Sequence, residues 1–111
     1  MSYPKRAIFE TIRTVAFGAI GAAFAAVGAA FGGPVRLIGL SNLTNQDLEF
    51  SDDGVNVKVI LPAGAGKVFD ISTNRTNQEN FFLSQGDFAY IRHAGVAPAS
   101  GSCYIEIIRG E

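Results

Sequence analysis

Cysteine, histidine and tryptophan are almost absent from this sequence. Among its 111 residues there is one cysteine, one histidine and no tryptophan. Cys103 alone cannot close an intramolecular disulfide, and its place in the strand-like run 102–105 predicts a buried, inert thiol. His93 has no second histidine or cysteine at ligand spacing, which argues against a zinc site.

An excess of charge of either sign is also lacking. Nine Lys and Arg stand against ten Asp and Glu, so the formal net charge is −1. A chain with this charge balance is not attracted as a whole to nucleic acid or to an anionic membrane. The sequence also has no run of basic residues interleaved with aromatic ones, which a nucleic-acid-binding surface would use for stacking. We therefore expect no nucleic-acid specificity. Only the first forty residues are uneven, because Lys5, Arg6, Arg13 and Arg36 face Glu10 alone.

No motif for catalysis or cofactor binding is complete. The run 64–67 resembles part of a phosphate-binding loop, but its first glycine is missing and Val68 stands where Ser or Thr is required. The turn 52–54 lacks the alternating ligands of a calcium loop, so its carboxylates are predicted to accept backbone N–H bonds. No two carboxylates are marked by apolar surroundings as an acid and a base. We expect no enzyme activity, no cofactor and no small-molecule substrate.

The clearest structural signal is a hairpin pattern in residues 47–61. Apolar residues alternate with polar ones at Leu48 and Phe50, and again at every second position from Val55 onward. Alternation on both sides of an Asp-Gly turn predicts two antiparallel strands with Gly54 at positive φ. One face of such a hairpin is apolar, so it must pack against a second layer.

Turn signals recur at regular spacing after Pro34. The apolar runs between them are 35–40, 67–71, 81–83, 88–92 and 103–108. In the run 67–71 we expect Val68 and Phe69 to contribute to the core. About seven or eight strands at this spacing are typical of a sandwich or barrel. We therefore predict an all-β domain, a single antiparallel β-sandwich of jelly-roll or immunoglobulin-like type.

Residues 15–33 form an apolar stretch rich in glycine and alanine. Its large side chains recur every three or four positions, at Phe17, Ile20, Phe24, Val27 and Phe31. That period favours a helix, whereas the glycines within it each cost about 1 kcal/mol relative to Ala in a helix. A membrane span, the apolar region of a signal peptide, a buried helix and a pair of Gly-rich strands all stay open, although the run is short and weakly hydrophobic for a span.

Two segments are candidates for contact with a neighbouring subunit. Residues 1–14 are predicted to be an N-terminal arm, with the sandwich domain spanning 15–111, and a short helix after Pro4 would need a surface to lie on. Residues 72–80 contain no apolar side chain and predict a surface loop, which is equally well explained as merely solvated. The candidate interface residues are Tyr3, Lys5, Arg6, Ile8, Phe9, Ile12, Arg13, Asn74, Arg75 and Asn77.

A series of short segments carries a family resemblance. These are 17–20 (FGAI), 25–28 (AAVG), 34–36 (PVR), 40–45 (LSNLTN), 50–55 (FSDDGV), 61–64 (LPAG), 69–70 (FD), Asn74, 81–83 (FFL), 90–91 (YI) and 101–106 (GSCYIE). In this order, within residues 13–110, they resemble a family of small tailed-bacteriophage virion proteins encoded among head and neck genes. The family carries Ser and Thr near positions 19–23, where this chain has Ala19, Gly21 and Ala23.

The resemblance has implications for both fold and function. It implies that residues 15–31 are two extended stretches, bent near Gly21–Ala22, that complete the sandwich. It also implies a virion protein assembled in the host cytoplasm, without a membrane anchor. The expected role is a neck or collar component at the head-to-tail connector, forming a homo-oligomeric ring and contacting portal, adaptor or capsid proteins. The alternatives are a capsid decoration or cement protein, a carbohydrate-binding host-recognition module and a small membrane-anchored protein.

Overall fold

The computed structural model describes residues 7–33, 35–70 and 86–110, and within them the chain is all-β, as predicted. The strands are β1 (Ala7–Phe9), β2 (Arg13–Ala16), β3 (Ala25–Val27), β4 (Val35–Asn42), β5 (Leu48–Ser51), β6 (Val59–Leu61), β7 (Gly66–Asp70), β8 (Ala89–His93) and β9 (Ser102–Gly110). The one helical element in these ranges is a 3₁₀ turn at Phe17–Ala19.

The strands form two antiparallel sheets. Sheet A has the order β1-β9-β4-β7, and β2 also pairs with β9. β1 lies along residues 108–110 of β9 and β2 along residues 102–105, so these two short strands follow one another beside the same long strand. Sheet B has the order β3-β8-β5-β6. The long pair β4 and β9 therefore forms the centre of sheet A.

One buried apolar cluster draws side chains from both sheets. Leu40 and Ile105 come from sheet A, Leu48 and Ile91 from sheet B, and Phe31 from the connection between β3 and β4. Full burial of a side chain of this kind contributes about 1.5–3 kcal/mol. In β4 and β9 the buried residues alternate with more exposed ones, as the period of a strand requires.

Residues 15–31 contain no α-helix, and strands lie near both ends of this range, which agrees with the two extended stretches that the family resemblance implies. The chain passes from β2 through the 3₁₀ turn, bends at residues 22–23 and continues into β3. The helix favoured by periodicity is wrong, because β2 and β3 obtain their hydrogen bonds from β9 and β8 instead. No helix in the described ranges is long and apolar enough to cross a membrane.

The N-terminal residues that are described also form strands. Residues 7–9 pair with β9, and after Glu10–Ile12 the chain pairs with β9 again as β2. The helix considered after Pro4 is therefore not continued by residues 7–14. Ile8 lies opposite Arg109, so its position is set by the sheet and not by a helical face.

The predicted hairpin is confirmed, with a shorter second strand. β5 and β6 are antiparallel neighbours, and Gly54 has a φ of +76°. The second strand begins at Val59 rather than Val55, and Val55 is exposed. The reason is local: Asp53 accepts hydrogen bonds from the N–H groups of Val55 and Asn56, which holds those residues in the turn.

The strand predicted in the run 67–71 forms as β7, but its expected contribution to the core is wrong. All five residues of β7 are exposed, and Val68 is 75% exposed. β7 is the last strand of sheet A, and Val68 lies opposite Gly39 on the face that points away from the core. Phe69 lies opposite the buried Ile38 on the core side, but at the edge of the sheet that the described residues form. The run 81–83 and the loop 72–80 lie outside the described residues.

Candidate interaction surface

Four of the ten residues predicted at subunit interfaces lie in the described part of the chain. Phe9 is 79% exposed, Ile12 is half exposed and Ile8 is partly buried. Arg13 is only 7% exposed, so its side chain acts mainly within the fold. The remaining predicted residues, Tyr3, Lys5, Arg6, Asn74, Arg75 and Asn77, lie outside the described ranges.

Glu10 connects distant segments of the chain. Its Oε1 accepts a hydrogen bond from Nη2 of Arg13 at 2.7 Å. Its Oε2 accepts one from Nε of Arg109 at 2.6 Å and one from the N–H of Gly32 at 2.8 Å. Arg13 Nη2 also donates to the carbonyl oxygen of Ala29 at 3.0 Å. This network joins β1, β2, the connection before β4 and the end of β9.

The same contacts hold Glu10 in its ionised form. Burial raises the pKa of the Glu10 carboxyl, but the N–H of Gly32 and the guanidinium groups of Arg13 and Arg109 outweigh burial, so the pKa lies below its ordinary value. Arg13 also lies over the ring of Phe31, with its guanidinium carbon 5.0 Å from the ring centre. Its Nη1 is buried without a hydrogen-bond partner in the described structure, and this cation–π contact partly offsets that burial.

Glycines allow two close contacts near this network, one with the side chain of Arg13 and one with the backbone of Gly110. Gly28 has a φ of +76°, and a Cβ there would lie 2.7 Å from Cγ of Arg13. A Cβ on Gly33 would lie 2.6 Å from the carbonyl oxygen of Gly110. Sequence reasoning treated Gly28 only as a residue unfavourable to helix. Two sequence features could have indicated that Gly28 lies against an arginine. One is the glycine-rich run before Pro34, and the other is that Glu10 is the single acidic residue near the arginines of this segment.

An open cleft of about 590 Å³ lies beside this network. It runs between the stretch 8–14 and the residues that follow β3, with Ile12 on its apolar side. The charged side chains of Arg13 and Arg109 in its lining already bond to Glu10. The cleft could therefore accommodate a partner by its shape more than by its charge. In the described ranges no group of three or more His, Cys, Asp or Glu side chains could hold a metal ion.

The outer face of sheet A carries an apolar patch made of Phe9, Leu37, Val68 and Ile108. Phe9 and Leu37 both lie opposite Ile108, and Val68 lies opposite Gly39. Because Gly39 has no side chain, the patch surrounds a depression of about 210 Å³, which the exposed Glu106 opposite Gly39 also lines. The patch faces away from the core, to which the alternate residues of β4 and β9 contribute. Exposed apolar patches of this kind commonly mark interaction sites.

The outer face of sheet B is more polar. Nε of Arg92 donates to Oε1 of Glu49 at 2.7 Å across the β5–β8 pair. The guanidinium carbon of Arg92 lies 4.2 Å from the centre of the Phe24 ring. These contacts satisfy the charged groups within the subunit. Sheet A therefore provides the better candidate for contact with another protein.

The prediction that the turn carboxylates accept backbone N–H bonds is confirmed for Asp53 and not for Asp52. The hydrogen bonds from Asn56, Ser51 and Val55 hold the pKa of Asp53 well below the usual range. Oδ1 of Asp52 has no hydrogen-bond partner among the described residues and lies 3.5 Å from Nζ of Lys58. Cys103 is fully buried, and burial raises the pKa of its thiol to about 11. Asp53 and Cys103 therefore have structural roles.

No family model, curated protein or solved structure matches this chain. The described residues present an apolar patch on sheet A and, in β1 and β7, two edges of that sheet.

Proposed function

We propose that this chain is a structural subunit of a tailed-bacteriophage virion, in the neck or collar at the head-to-tail connector, and that it forms a homo-oligomeric ring. It acts through contacts with other copies of itself and with portal, adaptor or capsid proteins. It carries out no catalysis and needs no cofactor. The sequence resemblance over residues 13–110 supports the virion assignment, and the all-β fold with exposed strand edges is compatible with it.

We further infer that the two sheets form a single antiparallel β-sandwich of jelly-roll or immunoglobulin-like type. The buried cluster shared by both sheets supports this arrangement. β1 and β2 both pair with β9, so counting them as one interrupted strand gives eight strands within the described ranges.

The observation that best supports a role in assembly is the apolar patch on sheet A. Two of its members, Phe9 and Val68, are among the most exposed large apolar side chains in the described structure. Removing such surface from water contributes roughly 25 cal/mol per Å². The patch extends from one edge of sheet A to the other, so contact at either edge can bury part of it.

The two edges of sheet A differ, so contact between one edge and the other edge of a second copy would build a ring and not a closed dimer. One edge is β7, and the other is made of β1 and β2. Contact between unlike surfaces is heterologous, and repeated heterologous contacts generate rings when the rotation closes. Each subunit then uses both of its edges.

Purified phage particles provide the test. Cryo-microscopy and quantitative mass spectrometry of particles should locate the chain at the neck, with a copy number related to that of the portal ring measured in the same sample. A copy number that follows the major capsid protein would instead make it a decoration protein. Absence from particles, together with binding to purified host glycans, would overturn the proposal in favour of the carbohydrate-binding alternative.

A further inference from the structure

The two edges of sheet A run in opposite directions. β7 is antiparallel to β4, β4 to β9, and β9 to β1. It follows that β7 and β1 are antiparallel to each other although three steps of the sheet separate them. If a second copy is placed with its β1 beside β7, and with the same face outward, the sheet continues as an antiparallel sheet across the boundary.

Within the described ranges β7 is an edge strand, and its backbone groups at Val68 point outward from the sheet. The N–H of Asn42 donates to the carbonyl oxygen of Ala65 at 2.9 Å. Hydrogen bonds between antiparallel strands recur at every second residue. By this alternation Lys67 and Phe69 bond to β4, whereas the N–H and C=O of Val68 are directed away from it.

The edge strand β1 has the matching arrangement at Phe9. The N–H of Glu10 donates to the carbonyl oxygen of Ile107 at 3.0 Å. By the same alternation, the backbone of Ile8 forms hydrogen bonds with β9, and the N–H and C=O of Phe9 point away from β9. Val68 and Phe9 can therefore form a hydrogen-bonded pair, and both of their side chains lie on the outer face.

We propose that β7 of one copy pairs with β1 of a second copy, with Val68 opposite Phe9 of that copy. The inference rests on the proposed homo-oligomer and names the strands that would join its subunits. In this interface, backbone hydrogen bonds between β7 and β1 add to the burial of the apolar patch. Addition of a strand at a sheet edge is a common mode of protein–protein contact.

Side chains on both faces fit this register. On the outer face, Val68 meets Phe9 of the second copy, so two of the most exposed apolar residues cover one another. On the core side, Phe69 lies opposite Ile8 of the second copy, and the exposed Lys67 lies opposite Glu10. The carboxylate of Glu10 is already bonded within its own subunit, so the side-chain contribution comes from the apolar pairs. Apolar pairs directly across a strand pair are stabilising.

A two-fold pairing of β7 with itself is less complementary. In antiparallel pairing centred on Val68, Lys67 would lie opposite Phe69 of the second copy. The two Lys67 side chains would then be diagonal neighbours on one face, where like charges repel. The heterologous pairing avoids this contact, and it leaves a β7 and a β1 free to continue the assembly.

Proline at Val68 gives a selective test, because the N–H that it removes points away from β4. Proline is tolerated at such positions on an edge strand, so Val68→Pro should keep the circular dichroism spectrum of the folded chain. We expect light scattering after size exclusion to show an oligomer for the unchanged chain and a monomer for Val68→Pro. As a second pair of variants, Val68→Asp should also give a monomer, whereas Val96→Asp, at an exposed position outside sheet A, should leave the oligomer unchanged.

Cross-linking identifies the partner strand. Val68→Cys and Phe9→Cys variants, each also carrying Cys103→Ala, should cross-link with a short bismaleimide when mixed and not when either is treated alone. Cross-linking of Val68→Cys with itself would overturn the proposal in favour of the two-fold β7 pair. An oligomer that survives both Val68→Pro and Val68→Asp would overturn the proposed interface and leave the ring standing. A chain that stays monomeric at every concentration would overturn the self-assembled ring and this interface together.

Discussion

Nε of Arg109 donates a hydrogen bond to Oε2 of Glu10 at 2.6 Å, across 99 positions of sequence. Arg109 is next to the last residue of β9, and Glu10 follows β1. The contact therefore joins the two ends of the described chain beside the strand that we propose as an assembly edge. Its loss should affect folding and the shape of that edge together.

Replacing Glu10 with Gln should destabilise the fold. The substitution removes the negative charge that balances Arg13 and Arg109, and it leaves the nearly buried Arg13 without an ionic partner. Loss of a hydrogen-bonded partner to a buried charge costs about 2–3 kcal/mol. Urea unfolding followed by circular dichroism should show a lower midpoint. Glu106→Gln, at an exposed position on β9, is the control and should change the free energy of unfolding by less than about 0.5 kcal/mol. Equal midpoints for the two variants would contradict the structural role of Glu10.

The stabilisation from Glu10 should depend on pH in one direction. Because the pKa of Glu10 is lower in the folded chain than its ordinary value of 4.5, the contribution is complete above that value and is lost as the pH falls through the folded pKa. The difference in unfolding free energy between the unchanged chain and Glu10→Gln should therefore shrink between about pH 7 and about pH 3. A difference that stays constant over this range would show that Glu10 does not act through its charge.

Features encoded within a few residues were predictable. The turn at Gly54 follows from residues that are adjacent in sequence, and the structure places it at positive φ as expected. The existence of β5 follows from alternation, and that of β4, β8 and β9 from apolar runs between turn signals. Strand boundaries were less certain, because hydrogen bonds to Asp53 compete with the ladder at Val55.

Features that depend on neighbours distant in sequence were not predictable. The apolar run 67–71 predicts a strand but does not tell whether that strand lies at the edge of a sheet, and the prediction that Val68 belongs to the core is wrong. Periodicity in residues 15–31 favoured a helix, because the pattern does not show that β8 and β9 supply strand partners. The bond between Glu10 and Arg109 has no local signal at all, and neither does the apolar patch that crosses sheet A.

Gly101 should tolerate substitution far less well than other glycines in turns. It has a φ of +87°, and a Cβ there would overlap the carbonyl group of Leu43. Gly64 has a similar φ of +75° but open space around it, and Gly95 has open space without a positive φ. We expect Gly95→Ala to be nearly neutral, Gly64→Ala to cost about 1–2 kcal/mol through backbone strain, and Gly101→Ala to cost at least about 3 kcal/mol. Thermal unfolding of the three variants measures this order. Equal effects at Gly64 and Gly101 would show that the close approach to Leu43 is not important.

The thiol of Cys103 should react only when the chain unfolds. Its side chain is fully buried in the apolar cluster that both sheets share, and burial raises its pKa from 9.0 to about 11. A rise of about two pKa units lowers the reactive thiolate fraction by about 100-fold at mildly alkaline pH, and exclusion of reagent slows the reaction further. We expect slow labelling by a disulfide reagent in buffer and immediate labelling in denaturant. A chain carrying Cys103→Ala and Val96→Cys should be labelled immediately in both conditions, because Val96 is 64% exposed. Rapid labelling of Cys103 in the folded chain would mean that β9 separates from β2 or β4 much more often than their pairing implies.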